Sequence, residues 1–358
     1  MDFFAVTPYV LLLVFCLLLA WIAQRYKKII AVWLIIVALT LFAGLRANSV
    51  GIDTMNYVTN LSNGYYRLYE IGFQLLSQPF ALSRQPQLYL LCIAAIIYSL
   101  FVLRLWELRH VCDFAFSIFL FVIMHFSASM NTMRQYIACA IVFWGTRFLF
   151  QRKAIPFIVC VLVAMCFHKT SFISMGFLLV YFTSWRQMSG AKKVLSICLL
   201  LALPAGLFYI YTTELSEYVA ARRLYYFANE GRQGLFIYFE ILMMLLIPFM
   251  NRRKVKLLQG EQASVIRFSW MFGLFGLGLS LIGYQIQFMG RAALYYAVFT
   301  LPLYSVAWKQ TRVGYSNGLS RTRVVDLCTR LAILCVTVPP FILQLVNNSY
   351  SILPYVLR

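Results

Sequence analysis

The sequence predicts an all-α, polytopic integral membrane protein, built as a single bundle of about 12 transmembrane helices. Of its 358 residues, 62% are hydrophobic and 12% are charged, and the mean hydropathy is +0.79. A soluble domain is about half apolar and about a quarter charged. Apolar runs of roughly 20 residues, the length that spans the hydrocarbon core, follow one another along the chain. These runs do not alternate in polarity, which favours helices over the strands of a barrel.

The positions of the apolar runs predict the individual spans and the loops between them. The spans cover residues 8–24, 29–45, 88–103, 114–129, 132–150, 154–167, 170–184, 194–211, 234–250, 267–287, 292–308 and 329–346. The connections 46–87 and 212–233 are long and polar enough to leave the membrane, and they form two larger loops. Neither a Gly/Ser linker nor an internal repeat typical of secondary transporters divides the chain. A single membrane domain over 1–358 is therefore expected.

The distribution of lysine and arginine predicts the orientation of the bundle. The formal net charge is +20, which in a soluble protein would suggest nucleic acid. In a membrane protein, basic loops mark the cytoplasmic side, so no nucleic-acid partner is expected. About two thirds of the 31 basic residues fall in one alternating set of connectors. With that set inside, both termini and both larger loops are extracytoplasmic.

Several kinds of chemistry have no motif in this sequence. The nine cysteines lie in or beside apolar runs without a CxxC spacing, so they are interpreted as small core residues. The chain has no Asp-x-Asp pair, no Walker loop and no G-x-S-x-G. Neither a metal site nor a cofactor is expected. A synthetic reaction on the outer side also meets no cytoplasmic nucleotide, so its substrate must be activated beforehand, as a sugar on a lipid diphosphate is.

Four arginines stand on the side that the charge rule disfavours, and they are candidates for diphosphate binding. Arg134 and Arg291 occupy very short connectors at the ends of apolar runs, and Arg222 and Arg223 lie in the loop 212–233. A cation at that depth must pair or face water. Planar guanidinium groups match phosphate oxygens through paired hydrogen bonds. The alternative is that these side chains snorkel and anchor helix ends.

The segment after the second span combines the side chains that bind sugars. Arg46, Asp53, Asn56 and Tyr57 supply a cation, a carboxylate, an amide and a ring, which suit sugar hydroxyls and apolar sugar faces. For the tyrosines, an interfacial aromatic belt is the alternative. Two further residues are predicted to contact the substrate, and these are Gln135 and Tyr295.

Three outer residues are candidates for the proton acceptor of a transfer reaction. Asp53 follows a glycine in a polar loop, so the backbone has freedom to bring its carboxylate to a hydroxyl. His168 has an ordinary pKa near 6.5, and the adjacent Lys169 disfavours its protonated form. Glu70 is ranked behind both because it could instead pair with one of the arginines. The alternative for a single histidine in a bundle is a structural hydrogen bond.

Five segments in order resemble the EpsG family, which belongs with the Wzy-type polymerases of bacterial capsule, exopolysaccharide and O-antigen. They are Arg46…Gly51-Ile52-Asp53-Thr54-x-Asn56-Tyr57, Glu70-x-Gly72-Phe73, Met133-Arg134-Gln135, His168-Lys169-Thr170-Ser171 and Arg291-x-x-x-Tyr295-Tyr296. The resemblance spans about 46 to 296. Ile52 and Thr170 stand where a small polar residue and a serine are more usual, and neither departure affects a charged position.

The resemblance implies an enzyme that joins undecaprenyl-diphosphate-linked oligosaccharide repeat units at the outer face of the bacterial cytoplasmic membrane. It also implies the flippase and the chain-length regulator of the same pathway as partners, beside the lipid bilayer. Two alternatives remain. A lipid-linked glycan flippase or transporter would need polar residues through the membrane depth. A membrane O-acyltransferase that modifies surface polysaccharide would use His168 as its base.

Overall fold

The computed structural model describes residues 3–151, 153–180, 240–244, 246, 260–283, 287–313 and 320–357, and these residues form a helical bundle. The first half holds α1 (Phe3–Tyr26), α2 (Ile29–Gly44), α3 (Thr54–Ser62), α4 (Ile71–Ser83), α5 (Pro86–Glu107), α6 (Phe114–Phe121), α7 (Ser127–Asn131), α8 (Met133–Phe150) and α9 (Ala154–Met165). The second half holds α10 (Gly260–Gly283), α11 (Gln287–Ala297), α12 (Thr300–Val313) and α13 (Ser320–Val346).

The described helices fit a membrane protein by length and composition. Five stretches are long and apolar enough to cross a membrane: Phe4–Tyr26, Pro86–His110, Phe114–Asn131, Ala263–Leu281 and Val324–Val346. The helices Ile29–Gly44 and Ala154–Met165 are apolar but shorter. Large apolar side chains of the outer helices, such as Leu11 and Trp33, are exposed because they face the surroundings of the bundle. This pattern suits a lipid environment, in which apolar exposure carries no hydrophobic penalty.

Two predicted spans have a different local structure. The span predicted over 170–184 is a 3-10 helix over Lys169–Val180 in the described residues. The span predicted over 292–308 is divided between α11 and α12, which meet near Val298 and Phe299. Both segments are mostly apolar, and an apolar run looks the same in the sequence whether it forms one α-helix, a 3-10 helix or two shorter helices. The hydrophobic periodicity therefore could not distinguish these conformations. The predicted span 194–211 and most of 234–250 lie outside the described residues, as does the loop 212–233.

One end of the bundle carries a network of charged side chains. Glu107 accepts a hydrogen bond from Arg104 at 3.0 Å and forms an ion pair with Arg147 at 2.9 Å. Lys309 donates to two carbonyls of the 3-10 turn Leu108–His110 at 2.9 and 2.7 Å. These basic residues belong to the set that the charge rule assigns to the cytoplasmic side.

The opposite end gathers the predicted extracytoplasmic segments. The tail segment 347–357 lies against the loop 46–52 and makes two backbone hydrogen bonds of 2.8 Å to it. The ring of Tyr355 stacks on Phe42 with 4.0 Å between centroids, and the Tyr9 hydroxyl donates to a carbonyl of the tail at 2.8 Å. The tail therefore covers the start of the loop that leads into α3.

The loop 46–87 is largely helical and packs onto the bundle. It contains α3, the 3-10 turn Tyr65–Leu68 and α4. Gly72 approaches the turn after α9 so closely that a Cβ atom there would lie 2.8 Å from the carbonyl oxygen of Cys166, and the Gly72 N–H donates to the same oxygen at 2.7 Å. Phe73 is fully buried. The close contact fixes the start of α4 beside the turn that carries His168.

Candidate active site

A polar cavity of 540 Å³ opens at the end of the bundle opposite the Glu107 network. Its described lining consists of Asp53, Asn56, Tyr57, Asn60, Tyr69, Thr132, Arg134, Gln135, His168 and Arg291. These residues come from α3, from the chain before α4, from the start of α8, from the turn after α9 and from α11. Five segments that are far apart in the sequence thus contribute to the described lining of one cavity.

The wall formed by α3 is a polar helix face. Asp53, Asn56 and Asn60 follow the spacing that places side chains on one side of a helix. Gly51 permits the turn before α3 because its φ of +97° is strained for residues with a Cβ atom. The Asp53 backbone N–H donates to the Asn131 amide oxygen at 3.3 Å. The half-buried Asp53 side chain makes no cap hydrogen bond to α3, and it lines the cavity.

Arg46 lies inside the protein and is not part of the described cavity lining. Its side chain is 1% exposed. The guanidinium donates to the Val50 carbonyl and the Thr54 hydroxyl at 3.3 and 3.2 Å, to the Met130 carbonyl at 2.7 Å, and to the Ala43 carbonyl. These acceptors belong to α2, α3 and α7 and to the loop between them. The geometry therefore makes Arg46 the internal support of the Asp53 turn.

Arg134 is held in the cavity wall by a carboxylate and by aromatic rings. Its Nη1 donates to the Glu70 Oε2 at 2.6 Å, and its guanidinium carbon lies 4.0 Å from the centroid of the Tyr69 ring. Each contact favours the charged guanidinium and limits its rotation. Glu70 itself is not in the described lining, and both of its carboxylate oxygens accept hydrogen bonds within the protein.

His168 stands in the turn between α9 and the 3-10 helix Lys169–Val180. Its Nδ1 lies 2.6 Å from the Thr170 hydroxyl oxygen, which is 3.3 Å from the Tyr295 hydroxyl oxygen. Burial lowers the pKa of the imidazole to about 4, while Glu70 opposes this shift and Arg134 and Arg291 add to it. The ring is therefore neutral at neutral pH. Nδ1 is thus engaged with Thr170, and within the described part of the chain Nε2 makes no hydrogen bond.

Arg291 is the more available of the two cavity arginines. Its side chain is exposed, and it makes no ion pair within the described part of the chain. The Gln135 amide donates to the Arg291 backbone carbonyl, so α8 positions the start of α11. A guanidinium with unused donors in a polar cavity is suited to an anionic ligand.

The cavity brings together most of the predicted site residues but not all of them. Asp53, Asn56, Tyr57, Arg134, Gln135, His168 and Arg291 line it. Tyr295 is fully buried and reaches the site only through Thr170. Arg222 and Arg223 lie outside the described residues. Among the described residues, no group of three or more His, Cys, Asp or Glu side chains is arranged to hold a metal ion.

Two lining residues, Asn60 and Thr132, were not singled out in the sequence, whereas Tyr69 is one of the outer-side tyrosines for which sugar binding was the expectation and an interfacial belt the alternative. Asn60 follows Asn56 by four residues, so the helical spacing of the two amides was a usable signal. Tyr69 directly precedes Glu70 and belongs to the group of tyrosines that an interfacial belt also explains. Thr132 precedes Met133-Arg134-Gln135, and no local pattern distinguishes it.

Comparison with known proteins supplies the family. The EpsG family model matches residues 29–357, a range that includes every described residue of the cavity lining. Neither the curated proteins nor the solved structures give a significant match. The match covers nearly the whole chain, so the chain belongs to the EpsG family, a family of Wzy-type polymerases.

Proposed function

We propose that the protein is a glycosyltransferase that polymerises undecaprenyl-diphosphate-linked oligosaccharide repeat units at the outer face of the bacterial cytoplasmic membrane. The observation that carries this proposal is the cavity at one end of an apolar bundle, where guanidinium, carboxylate, amide and imidazole groups meet. Family membership points to polysaccharide polymerisation. The position of the cavity at a bundle end suits a substrate whose lipid stays in the membrane while its glycan is in water.

The proposed reaction transfers a glycan from one lipid diphosphate to another lipid-linked glycan. A hydroxyl oxygen of the acceptor repeat unit attacks the anomeric carbon of the growing chain and forms the new glycosidic bond. The bond between that carbon and the diphosphate oxygen breaks, and its electron pair leaves with the lipid diphosphate. The hydroxyl proton passes to a carboxylate or an imidazole of the cavity, for which Asp53 and His168 are the candidates. Energy comes from the activated donor, so no nucleotide is required.

Arg291 and Arg134 have different tasks in this proposal. Arg291 makes no ion pair among the residues that the structure describes, and its guanidinium would bind the diphosphate as it gains charge during bond cleavage, which lowers the barrier when the donors are preorganised. Arg134 is already paired with Glu70. The ion pair with Glu70 and the contact with the Tyr69 ring fix its guanidinium at the cavity wall. Arg134 therefore contributes a positive charge at a fixed position. Arg222 and Arg223 are kept as proposed further contacts to the diphosphate.

The α3 wall would bind the sugar rings. The Asn56 side chain is exposed and Asn60 is half-buried, so their amides offer both donors and acceptors to hydroxyl groups. The buried Tyr57 ring contacts Phe73 and Tyr69 with centroid distances of 5.9 and 6.3 Å. These packed rings hold α3 in place, and with it the amides of Asn56 and Asn60. A fixed set of amides can hold the acceptor sugar in the orientation that the reaction needs, which is how proximity contributes to catalysis.

The experiment that tests the proposal compares purified protein variants on a lipid-linked repeat unit. Arg291→Lys keeps the charge and loses the planar pair of donors. We expect product chains to be formed roughly a hundredfold more slowly, in line with removal of one donor to a developing anion. Arg67→Lys is the matched control, because Arg67 is an exposed arginine at the same end that does not line the cavity. Wild-type rates in Arg291→Lys would contradict the assignment.

Cells that lack the protein separate the proposal from its alternatives. Loss of a polymerase leaves single repeat units on the outer surface, whereas loss of a flippase leaves them inside. Loss of an O-acyltransferase leaves full-length chains without acyl groups. Below the cavity, α8 continues with the buried residues Tyr136, Ile137 and Ala138, a mostly apolar run that favours a surface reaction over passage across the membrane.

A further inference from the structure

A chain of three hydrogen-bonding groups leads from the interior of the protein to the cavity. The Tyr295 hydroxyl oxygen lies 3.3 Å from the Thr170 hydroxyl oxygen, and this oxygen lies 2.6 Å from the His168 Nδ1. Tyr295 is fully buried and Thr170 is 8% exposed. His168 lines the cavity. The direction of the hydrogen bonds along this chain determines the tautomer of the His168 imidazole, that is, which of its two ring nitrogens carries the hydrogen.

The buried end of the chain determines that direction. A buried tyrosine hydroxyl has to donate its hydrogen, because a buried donor without an acceptor loses its hydration and gains nothing in return. In the described part of the chain, the acceptor that the Tyr295 hydroxyl contacts is Thr170. Thr170 receives that hydrogen bond and directs its own hydrogen to the His168 Nδ1. The opposite direction would leave the Tyr295 hydrogen without an acceptor among these residues.

The imidazole that results carries its hydrogen on Nε2. A neutral imidazole has one N–H and one acceptor nitrogen, so accepting at Nδ1 places the hydrogen on the other nitrogen. The charged groups that face His168 are Glu70, Arg134 and Arg291, and Lys169 is its neighbour in the chain. Burial and the two arginines outweigh Glu70 and keep the pKa of the ring low. The ring of this cavity-lining residue therefore stays neutral, with its hydrogen on Nε2.

We propose that His168 acts as a neutral hydrogen-bond donor from Nε2 to an anionic oxygen of the substrate, with Thr170 and Tyr295 as positioning residues. The role toward a diphosphate oxygen rests on the proposed polymerase function, whereas the tautomer does not. A ring nitrogen that carries a hydrogen has no lone pair with which to accept the hydroxyl proton. The proton acceptor of the reaction is then Asp53.

The tautomer can be tested on the substrate-free protein. The chain has three histidines, so nitrogen-15 magnetic resonance of histidine-labelled protein gives few signals, and those of His168 disappear in His168→Gln. We expect a protonated Nε2 and an unprotonated Nδ1 for His168 from pH 8 to pH 5.5. In Tyr295→Phe and Thr170→Val, this preference should weaken or reverse. A wild-type ring protonated at Nδ1, or doubly protonated at pH 6, would overturn the proposal.

Turnover distinguishes a donor from a base. Glutamine supplies an N–H near the position of Nε2 but takes up no proton at these pH values. We therefore expect His168→Gln to retain at least tenfold more kcat than His168→Ala, with the KM for the lipid-linked repeat unit nearly the same in both. Equal loss in the two variants would contradict the donor role. Failure of wild-type protein to polymerise would instead contradict the proposed function, and the resonance experiment would still decide the tautomer.

Discussion

Arg134 and Glu70, which are 64 residues apart in the chain, form an ion pair with 2.6 Å between Nη1 and Oε2. The other carboxylate oxygen of Glu70 accepts the backbone N–H of Lys169 at 3.2 Å. One carboxylate therefore connects the start of α4 with the start of α8 and with the turn that carries His168. Its two oxygens are committed to positioning, which places Glu70 behind Asp53 as a proton acceptor.

Glu70→Gln tests this connecting role. The amide keeps one acceptor but loses the charge opposite Arg134, so the variant should lose about 1.5–3 kcal/mol of stability, the usual contribution of a hydrogen bond to a charged group. Turnover should fall about tenfold to a hundredfold, because Arg134 and the His168 turn lose their common support. Thermal unfolding in detergent and turnover per folded molecule are the measurements.

Glu107→Gln is the matched control for that variant. Glu107 also pairs with two partners, Arg104 and Arg147, but at the opposite end of the bundle. The Glu107→Gln variant should have a lower unfolding temperature than wild type but the same turnover per folded molecule. If both glutamine variants reduced turnover equally, the loss would come from general loosening of the bundle, and Glu70 would have no special connection to the site.

Arg46→Lys is expected to destabilise the protein. Lysine has no guanidinium fork, so several of the buried acceptors at Val50, Thr54 and Met130 lose their donor. A buried polar group without a partner costs about 1–3 kcal/mol. The yield of folded protein and its unfolding temperature should drop, whereas Arg67→Lys should behave as wild type. A stable Arg46→Lys protein with weakened substrate binding would return Arg46 to the direct binding role that the sequence suggested.

The low pKa of His168 predicts the effect of acid. The folded value of about 4 lies below the ordinary value of 6.5, so the unfolded chain binds more protons between these two values. The contribution of His168 to stability is complete above pH 6.5 and is lost as the pH falls toward 4. Acidification from about pH 7 to about pH 5 should lower the unfolding temperature of wild type more than that of His168→Gln. If the unfolding temperature fell equally with pH in wild type and in His168→Gln, the lowered pKa of His168 would be contradicted. His110→Gln serves as a control at an exposed histidine.

The orientation of the bundle can be measured with introduced cysteines. Position 63 lies next to α3 at the cavity end, and position 27 lies at the end that holds the Glu107 network; both are exposed. In a background without native cysteines, Asn63→Cys should react with a membrane-impermeant maleimide in intact cells. Lys27→Cys should react only after the cells are opened. The reverse result would place the cavity in the cytoplasm and remove the argument for a pre-activated lipid substrate.

The sequence anticipated the residue types of the site better than their contacts. Arg134, His168 and Arg291 were recognisable because each stands beside an apolar run, where a charged or titratable group is costly unless it pairs or faces water. Asp53 was recognisable because it lies in a polar loop with an arginine, an amide and an aromatic ring. The charge rule placed them at one end, and the structure brings them to one cavity. Composition and run length were sufficient for an all-helical membrane protein, since both signals are local.

What the sequence could not supply depends on packing between distant segments. Arg46 has the same charge and the same position beside a span as Arg134, yet it points inward because three helices offer carbonyl and hydroxyl acceptors around it. Tyr295 looked like a substrate contact and lies behind Thr170. The division of 292–308 between α11 and α12 escaped detection because the residues on both sides of the break are mostly apolar within that range. Distances between side chains decide each of these cases, and one sequence contains no distances.

The contact between the tail segment and the loop 46–52 has a consequence for how the protein is made. Tyr9 and Ile352 are 343 residues apart and are joined by a hydrogen bond, and Phe42 and Tyr355 are 313 residues apart. During membrane insertion, helices leave the ribosome from the N-terminal side first. The loop that carries Asp53 therefore lacks its contact with the tail segment until residues 347–357 have been synthesised. Assembly of the cavity is a late step in biogenesis, long after α1 and α2 have entered the bilayer.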